Sequence, residues 1–305
     1  MSQSNESENW QGDVASEYRS VARNFSAESE NRIHDLDVAQ KFGFEGGLVP
    51  GAAVFGHMTH PLIETMGDGW AKGHRGEVRF LKPAYDGDEL VIRHMVSGDD
   101  HLVRCFARGE TLLAELRTGP WHEPPEAAPD AGEGEGSERP EIRWDNIHVG
   151  EPFGAFEWQP SVVENAEFAA QVADDLDIYA VGQSASVAEG ARTGQGSDDR
   201  LQFSRSEKLP KRREAALVHP HGWLNIANRA LTRRYLLPAW MHVGSDFRLH
   251  QPIRVGDSVD VRAVPTNKWR RKGHEFLDLT LAFVVAGAVA MEIRHTAIFK
   301  IAARD

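Results

Sequence analysis

The stretch EGGLVPGAAVFGHM (45–58), followed by VRFLKPAYDGDEL (78–90), returns as EAALVHPHGWLNIA (214–227) followed by FRLHQPIRVGDSV (247–259). The offset is constant: 214−45, 252−83 and 257−88 all equal 169. Both blocks keep an apolar pair before a helical pattern (Leu48, Val49 and Leu217, Val218), then a strand-like run closing on Pro and a Gly-Asp turn (Pro83, Gly87, Asp88 and Pro252, Gly256, Asp257). Turn geometry alone favours Gly and Asp at such places. A repeat of this period marks two domain-sized copies, because solenoid repeats run roughly 20–50 residues.

Periodicity fills in each copy. Val54, Phe55, Met58, Leu62, Ile63 and Met66 recur at three- and four-residue steps and predict a helix over 51–66. Trp223, Leu224, Ala227, Ala230, Leu231 and Tyr235 repeat that pattern. Strand-like runs follow each helix: EVRFLKPAY, ELVIRHMVS, HLVRCFARG and TLLAELRTG in the first copy, and SDFRLHQPI, SVDVRAVPT, EFLDLTLAF and VAMEIRHTAIF in the second. A helix followed by an antiparallel meander is an α+β layout.

Composition bounds the rest. The chain has 305 residues, 41% of them hydrophobic, enough for one large core or two medium ones. The opening MSQSNESENWQGD lacks the basic and apolar succession of a secretory signal, and no apolar run reaches the roughly 20 residues of a membrane span. A cytoplasmic protein without a membrane span is expected. The single cysteine, Cys105, leaves no intrachain disulfide and reads as a small core residue. A net charge of −12 argues against nucleic-acid binding, which draws on clustered Lys and Arg. Much of that charge lies in HEPPEAAPDAGEGEGSERPE (122–141), with seven acids against one Arg, and this segment reads as a linker. It separates an N-terminal copy at 14–121 from a C-terminal copy at 142–303, with residues 1–13 expected to be disordered. No GxxxxGK[ST] loop and no GxSxG elbow is present.

From Asn31 to Gly51, NRIHDLDVAQKFGFEGGLVPG resembles the MaoC-like acyl dehydratases, a family that includes the (R)-specific enoyl-CoA hydratases. Asn31, Ile33, His34, Ala39, Gly43, Phe44 and Gly51 fall at that family's places, and RFLKPAYDGD and RLHQPIRVGD resemble its strand ending in Pro and Gly-Asp. The resemblance covers most of both copies. It implies the hotdog fold, a long helix wrapped by an antiparallel sheet, here as a tandem double hotdog whose halves form an intrachain pseudo-dimer. It also implies an acyl thioester substrate, a place in fatty acid metabolism, and no metal or redox cofactor, coenzyme A entering only as part of the substrate. Self-association beyond the pseudo-dimer is left open.

The chain departs from that pattern where the chemistry should sit. The family places a carboxylate five residues before the histidine to form a dyad, and here that position is Ser29, whose hydroxyl does not titrate near working pH. Glu28, Glu30 and Asp35 lie close and one could substitute, but a strand or extended turn over this run would point adjacent side chains in different directions; Asp35 is the one to test as partner of His34. In the second copy the matching pair is Asp174 and Tyr179, so an acid is kept and the imidazole lost. Joining His34 to Asp174 across the pseudo-dimer is a minor alternative. Tyr179 and Pro220 are 41 positions apart against 17 between His34 and Gly51, so the second copy carries 24 extra residues (41−17), a lid or a tolerated surface loop.

The candidate catalytic set is therefore His34, Asp35 and Asn31. His34 would be the acid or base, although a lone His is more often structural. Asn31 would orient it or cap a turn. Gly51 would let a helix N-terminus polarise the thioester carbonyl, or would serve a tight turn into the helix. Ser29 is placed with the substrate-binding positions. Arg270, Arg271 and Lys272, or Lys208, Lys211, Arg212 and Arg213, would dock coenzyme A phosphates if they are not simply solvated. His57 and His60 are expected at the sheet–helix boundary, and His219 and His221 lack the convergent partners of a metal site. The same scaffold supports thioester hydrolysis, and the loss of the acid at position 29 supports a non-catalytic acyl-CoA-binding subunit.

Overall fold

A computed structural model describes residues 10, 12–132, 138–180 and 215–302. Strands β1 (Asp13–Val21), β2 (His74–Phe80), β3 (Glu89–Ser97), β4 (Asp100–Ala107) and β5 (Thr111–Pro120) belong to the first half. The second half contributes β6 (Phe156–Trp158), β7 (Met241–Leu249), β8 (Val259–Arg271), β9 (His274–Val285) and β10 (Ala288–Lys300). The helices are α1 (Leu36–Lys41), α2 (Gly51–Met66), α3 (Val162–Gln171) and α4 (Pro220–Arg234). All ten strands form one antiparallel sheet in the order β1-β3-β4-β5-β2-β7-β10-β9-β8-β6. Each half repeats the other's strand order outward from a seam at β2–β7.

The register of that seam follows from the duplication. Glu77 pairs with Asp246 at its centre, and 246−77 is 169, so a residue faces its own equivalent, as a two-fold antiparallel pairing requires. Two acids directly opposite would repel. Arg79 offsets this by pairing with both, at 2.8 Å from Glu77 and 2.5 Å from Asp246. Gly76 is required at the seam, since a Cβ there would lie 2.3 Å from the Phe247 ring. That ring instead reaches across to Phe55 and Trp70, with centroids 5.7 and 5.9 Å apart, and Trp70 stacks on Trp223 at 5.7 Å. Phe55, Met58 and Leu62 of α2 are fully buried, each contributing about 1.5–3 kcal/mol by leaving water.

Helices α2 and α4 lie against each other, and one core cluster takes residues from both halves. Cys105 is part of it, its thiol pushed up to about 12 by burial. The predicted Gly-Asp turns form, with Gly87 at φ +82 and Gly256 at φ +87, where a side chain would be strained. Four elements were not foreseen as elements: β1, α1, β6, and α3, which Ser161 caps through Glu164 N–H. The run 28–35 also differs from the expected extended segment. It turns at Ser26–Ser29, forms one 3-10 turn at Arg32–His34, and enters α1. Residues 122–132 and 138–141 of the acidic segment contact both halves: Ala155 N–H of the second donates to Ala131 O at 2.7 Å, and Arg139 pairs with Glu30 of the first at 2.8 Å. The predicted insertion, including Lys208, Lys211, Arg212 and Arg213, lies outside the described residues.

Candidate active site

His34 ends the 3-10 turn, and local contacts fix it. Arg32 N–H donates to Pro238 O of the other half at 2.9 Å, and Asn24 Nδ2 donates to His34 O at 2.8 Å. Gly47 must lack a side chain here, because a Cβ would stand 2.1 Å from His34 O. The ring is held at both nitrogens: Nδ1 is 2.6 Å from Leu48 O, and Nε2 is 3.2 Å from Asn31 Nδ2. A carbonyl can only accept, so Nδ1 carries the proton and Nε2 presents its lone pair. Asn31 is itself oriented, since its Oδ1 accepts from Trp240 N–H at 3.1 Å and its Nδ2 donates to Trp240 O at 3.1 Å. Asn31 both orients the histidine and caps the turn, accepting from Ile33 N–H at 3.4 Å. Burial holds His34 below the usual imidazole range, although the Leu48 carbonyl opposes that shift. At neutral pH it is an uncharged base.

The histidine borders a cavity of about 230 Å³ at the seam between the halves. Asn31, His34 and the Gly51 end of α2 meet there with Phe80 from the first half, and Trp240 and His242 from the second. Helix α2 has Pro50 at its cap and no side-chain cap, so its first N–H groups are without intrahelical partners and carry the positive end of the helix dipole. The steric reading of Gly51 holds as well: a Cβ would come within 3.1 Å of the Phe80 ring and 3.3 Å of His242 Nδ1.

The other sequence-derived candidates lie elsewhere. Asp35 is not the partner of His34: its carboxylate caps α1 through Val38 N–H at 3.0 Å and pairs with Arg32 at 3.0 Å. Its carboxyl is lowered by that backbone bond and by Arg32, as suits a cap rather than a proton carrier. Ser29 does not line the cavity, and its hydroxyl is 3.4 Å from Asn31 O. Among the described residues no carboxylate lines it. Arg270, Arg271 and Lys272 sit at the β8–β9 turn, where Arg270 pairs with Glu275 at 3.0 Å and lies 4.2 Å over Trp144; the base at the cavity is Lys82, which is exposed. Sequence reasoning missed Trp240, His242 and Asn228, which reach the first-half site only through the seam.

At the equivalent place in the second half, Asp174 and His219 are buried. Asp174 accepts from His219 Nε2 at 3.2 Å and from Leu176 N–H at 3.2 Å, and His60 Nδ1 lies 3.0 Å from its Oδ1 as an ion-pair contact. Its carboxyl is buried, which alone would raise it, yet the bonds from His219 and His60 hold it far below the usual range. Burial lowers His219, which accepts His221 N–H on Nδ1 at 3.1 Å, while Asp174 outweighs burial at His60 and raises it. Asp174 and His60 thus form an ion pair between the halves, with neutral His219 beside it. Tyr18 of β1 covers His60, ring on ring at 3.9 Å, and Tyr179 lies 4.4 Å from His219. His57 is buried with both ring nitrogens unpaired and is pushed down to about 4 by burial and by His219. Asp174 does not reach His34. No cluster among the described residues has metal-holding geometry, and no helix among them is long and apolar enough to cross a membrane.

Comparison with known proteins places the fold. A protein of Chloroflexus aurantiacus described as a MaoC domain dehydratase is 12% identical, with TM-score 0.59, over 95% of this chain and 96% of that one. A conserved hypothetical protein of Mycobacterium tuberculosis, described as having a double hotdog fold, is 14% identical with TM-score 0.56 over 96% and 97% of the two chains. A further MaoC-like dehydratase is 14% identical with TM-score 0.54, covering 93% of this chain and 98% of its own. No family model matches the chain, and no curated protein matches it. At such identities the likeness establishes the fold, a double hotdog.

Proposed function

We propose that the chain hydrates 2-enoyl thioesters of coenzyme A, reversibly, to 3-hydroxyacyl thioesters. One observation carries this reading: a neutral imidazole with its lone pair on Nε2 and the uncapped N-terminus of α2 border the same seam cavity. The thioester carbonyl would rest against the first N–H groups of α2, where charge accumulates as the bond polarises. A water takes the place of the 3.2 Å Asn31 contact at Nε2 and gives its proton to the ring. Its oxygen bonds to C3, and the electron pair of the double bond moves to the enolate. The resulting Nε2–H returns that proton to C2, so one imidazole serves as base and then acid. The Leu48 carbonyl, holding Nδ1–H, keeps the ring in place while the water sits at Nε2. Lys82 at the cavity supplies a cation for a coenzyme A phosphate.

The fold shared with MaoC-like dehydratases supports this reading. A second reading, an acyl-CoA binder without turnover, is favoured by the absence of a carboxylate along the described cavity lining. The deciding experiment follows enoyl absorbance and free thiol in parallel with crotonyl-CoA and longer trans-2-enoyl-CoAs. Absorbance loss without thiol is expected, reduced about 10²- to 10⁴-fold in His34→Ala. Thiol release would make the protein a thioesterase, and binding without either signal would make it a carrier or assembly subunit.

A further inference from the structure

The wall that the second half contributes to the seam cavity is polar in an unusual way. Three of its residues hold buried polar atoms without a hydrogen-bond partner among the described residues: Asn228 Oδ1, Trp240 Nε1 and His242 Nδ1. The state of His242 follows from its neighbours. Its Nε2 lies 3.0 Å from Gly244 O, which can only accept, and 2.9 Å from Ser245 Oγ. Nε2 therefore carries the proton, and the unpaired Nδ1 is an acceptor. His295 stacks on His242 at 4.0 Å and fixes its plane. The wall thus offers two acceptors and one donor. Apart from Asn31, His34 and Lys82, the first-half side of the same cavity is mainly apolar, with Leu48, Val54 and Phe80.

Leaving such groups buried and unpaired is costly, whereas pairing them with a ligand converts that cost into selectivity. We infer that the acyl group this cavity takes carries an uncharged hydroxyl besides the one that hydration creates. A plain alkyl chain would leave the three atoms unpaired. A carboxylate would bring negative charge against the lone pairs of His242 and Asn228, with Trp240 N–H the one donor of the three. A hydroxyl donates to one of the two acceptors and accepts from Trp240 N–H, so it pairs two of the three atoms where an alkyl chain pairs none and a carboxylate one. Size limits the chain: a cavity of about 150 Å³ holds benzene, so about 230 Å³ takes roughly nine heavy atoms, thioester carbonyl included. A hydroxylated acyl group of about four to six carbons fits.

This inference rests on the acyl-CoA reading of the site but not on turnover, so the test separates the two. Calorimetric titration of the full chain with pentanoyl-CoA, 5-hydroxypentanoyl-CoA and glutaryl-CoA reads the wall directly. The hydroxylated ligand is expected to bind about 10- to 100-fold more tightly than the alkyl one, with glutaryl-CoA weakest. In His242→Leu, and independently in Asn228→Leu should the first variant fold poorly, that preference is expected to fall to within about threefold. The inference is overturned if the alkyl ligand binds as well, if glutaryl-CoA binds best, if the preference survives in both variants, or if no acyl-CoA binds. Turnover of trans-2-pentenoyl-CoA and its 5-hydroxy analogue is then followed separately. Selective binding without turnover removes the hydratase reading and leaves the substrate class standing.

Discussion

The two halves place the same backbone around opposite chemistries. In the first, His34 lies beside a cavity whose described lining holds no acid; in the second, Asp174 lies buried among imidazoles. The spacings are the same, 34−29 and 179−174 both being five, and Pro50 and His219 are equivalent at 219−50 = 169. What differs is what fills the space. Helix α2 sends His57 and His60 toward Asp174, whereas the equivalents of these residues on α4 are Ile226 and Arg229, and Arg229 lies exposed over Phe156 at 5.7 Å. A duplicated fold can thus keep a histidine-lined cavity in one copy and turn the other into a polar joint between copies. The ion pair of the joint comes from both halves.

The largest effect that tests this contrast is on stability. Asp174→Ala strands a protonated or unpaired His60 and an unpaired His219 Nε2–H in the interior, and is expected to cost about 3–5 kcal/mol in urea unfolding. His34→Ala loses bonds at the cavity edge and is expected to cost about 1 kcal/mol. Equal costs would mean that the two sites are not specialised. The sign of the pH dependence follows from the shifts. The lowered carboxyl of Asp174 contributes above its unfolded value, near 4, and that contribution is lost as pH falls toward its folded value. The raised His60 contributes fully below about 6.5 and loses its contribution as pH rises through its folded value. The gap between wild type and Asp174→Ala is therefore expected to be widest between about pH 4 and 6.5.

A smaller effect separates the two helix starts. Gly51→Ala pushes a methyl group toward Phe80 and His242, at the point where a thioester would meet α2, and is expected to lower kcat/KM about tenfold. Pro220→Ala, at the equivalent position (220−51 = 169), is expected to leave kcat/KM unchanged. A loss of equal size in both would show that the second half also handles substrate.

How far the sequence reaches depends on the range of the interaction. The helix at 51–66 and the Gly-Asp turns are local matters of periodicity and of φ above zero, and the structure has them where the residues point. The family resemblance likewise brings out His34, Asn31 and Gly51, which lie together at the cavity. Asp35 was misplaced because a carboxylate next to a histidine in sequence follows the backbone, and here the backbone starts a helix that the carboxylate caps. His60 with Asp174, and His242 with Gly51, are separated by more than a hundred residues and meet only because β2 pairs with β7. No local pattern marks such a pair; the constant offset of 169, together with the choice of seam strand, is the signal that could have located it.

The last prediction copies the second half's acid into the first. In the proposed reaction His34 is a base in its neutral form, so activity would hold above its folded pKa and fall as pH drops through it. Burial lowers that pKa, and the acid limb of kcat/KM in the wild type is therefore expected below pH 6.5. Ser29→Asp places a carboxylate where the second half has Asp174. A negative charge near the imidazole favours its protonated form, so the acid limb is expected to move up by about one unit, with activity lost at a higher pH. Rate at high pH is expected to hold or rise, since the imidazolium that forms during turnover gains a partner. An unmoved profile would mean that position 29 does not face His34, and that the first half has lost the geometry of the dyad along with its acid.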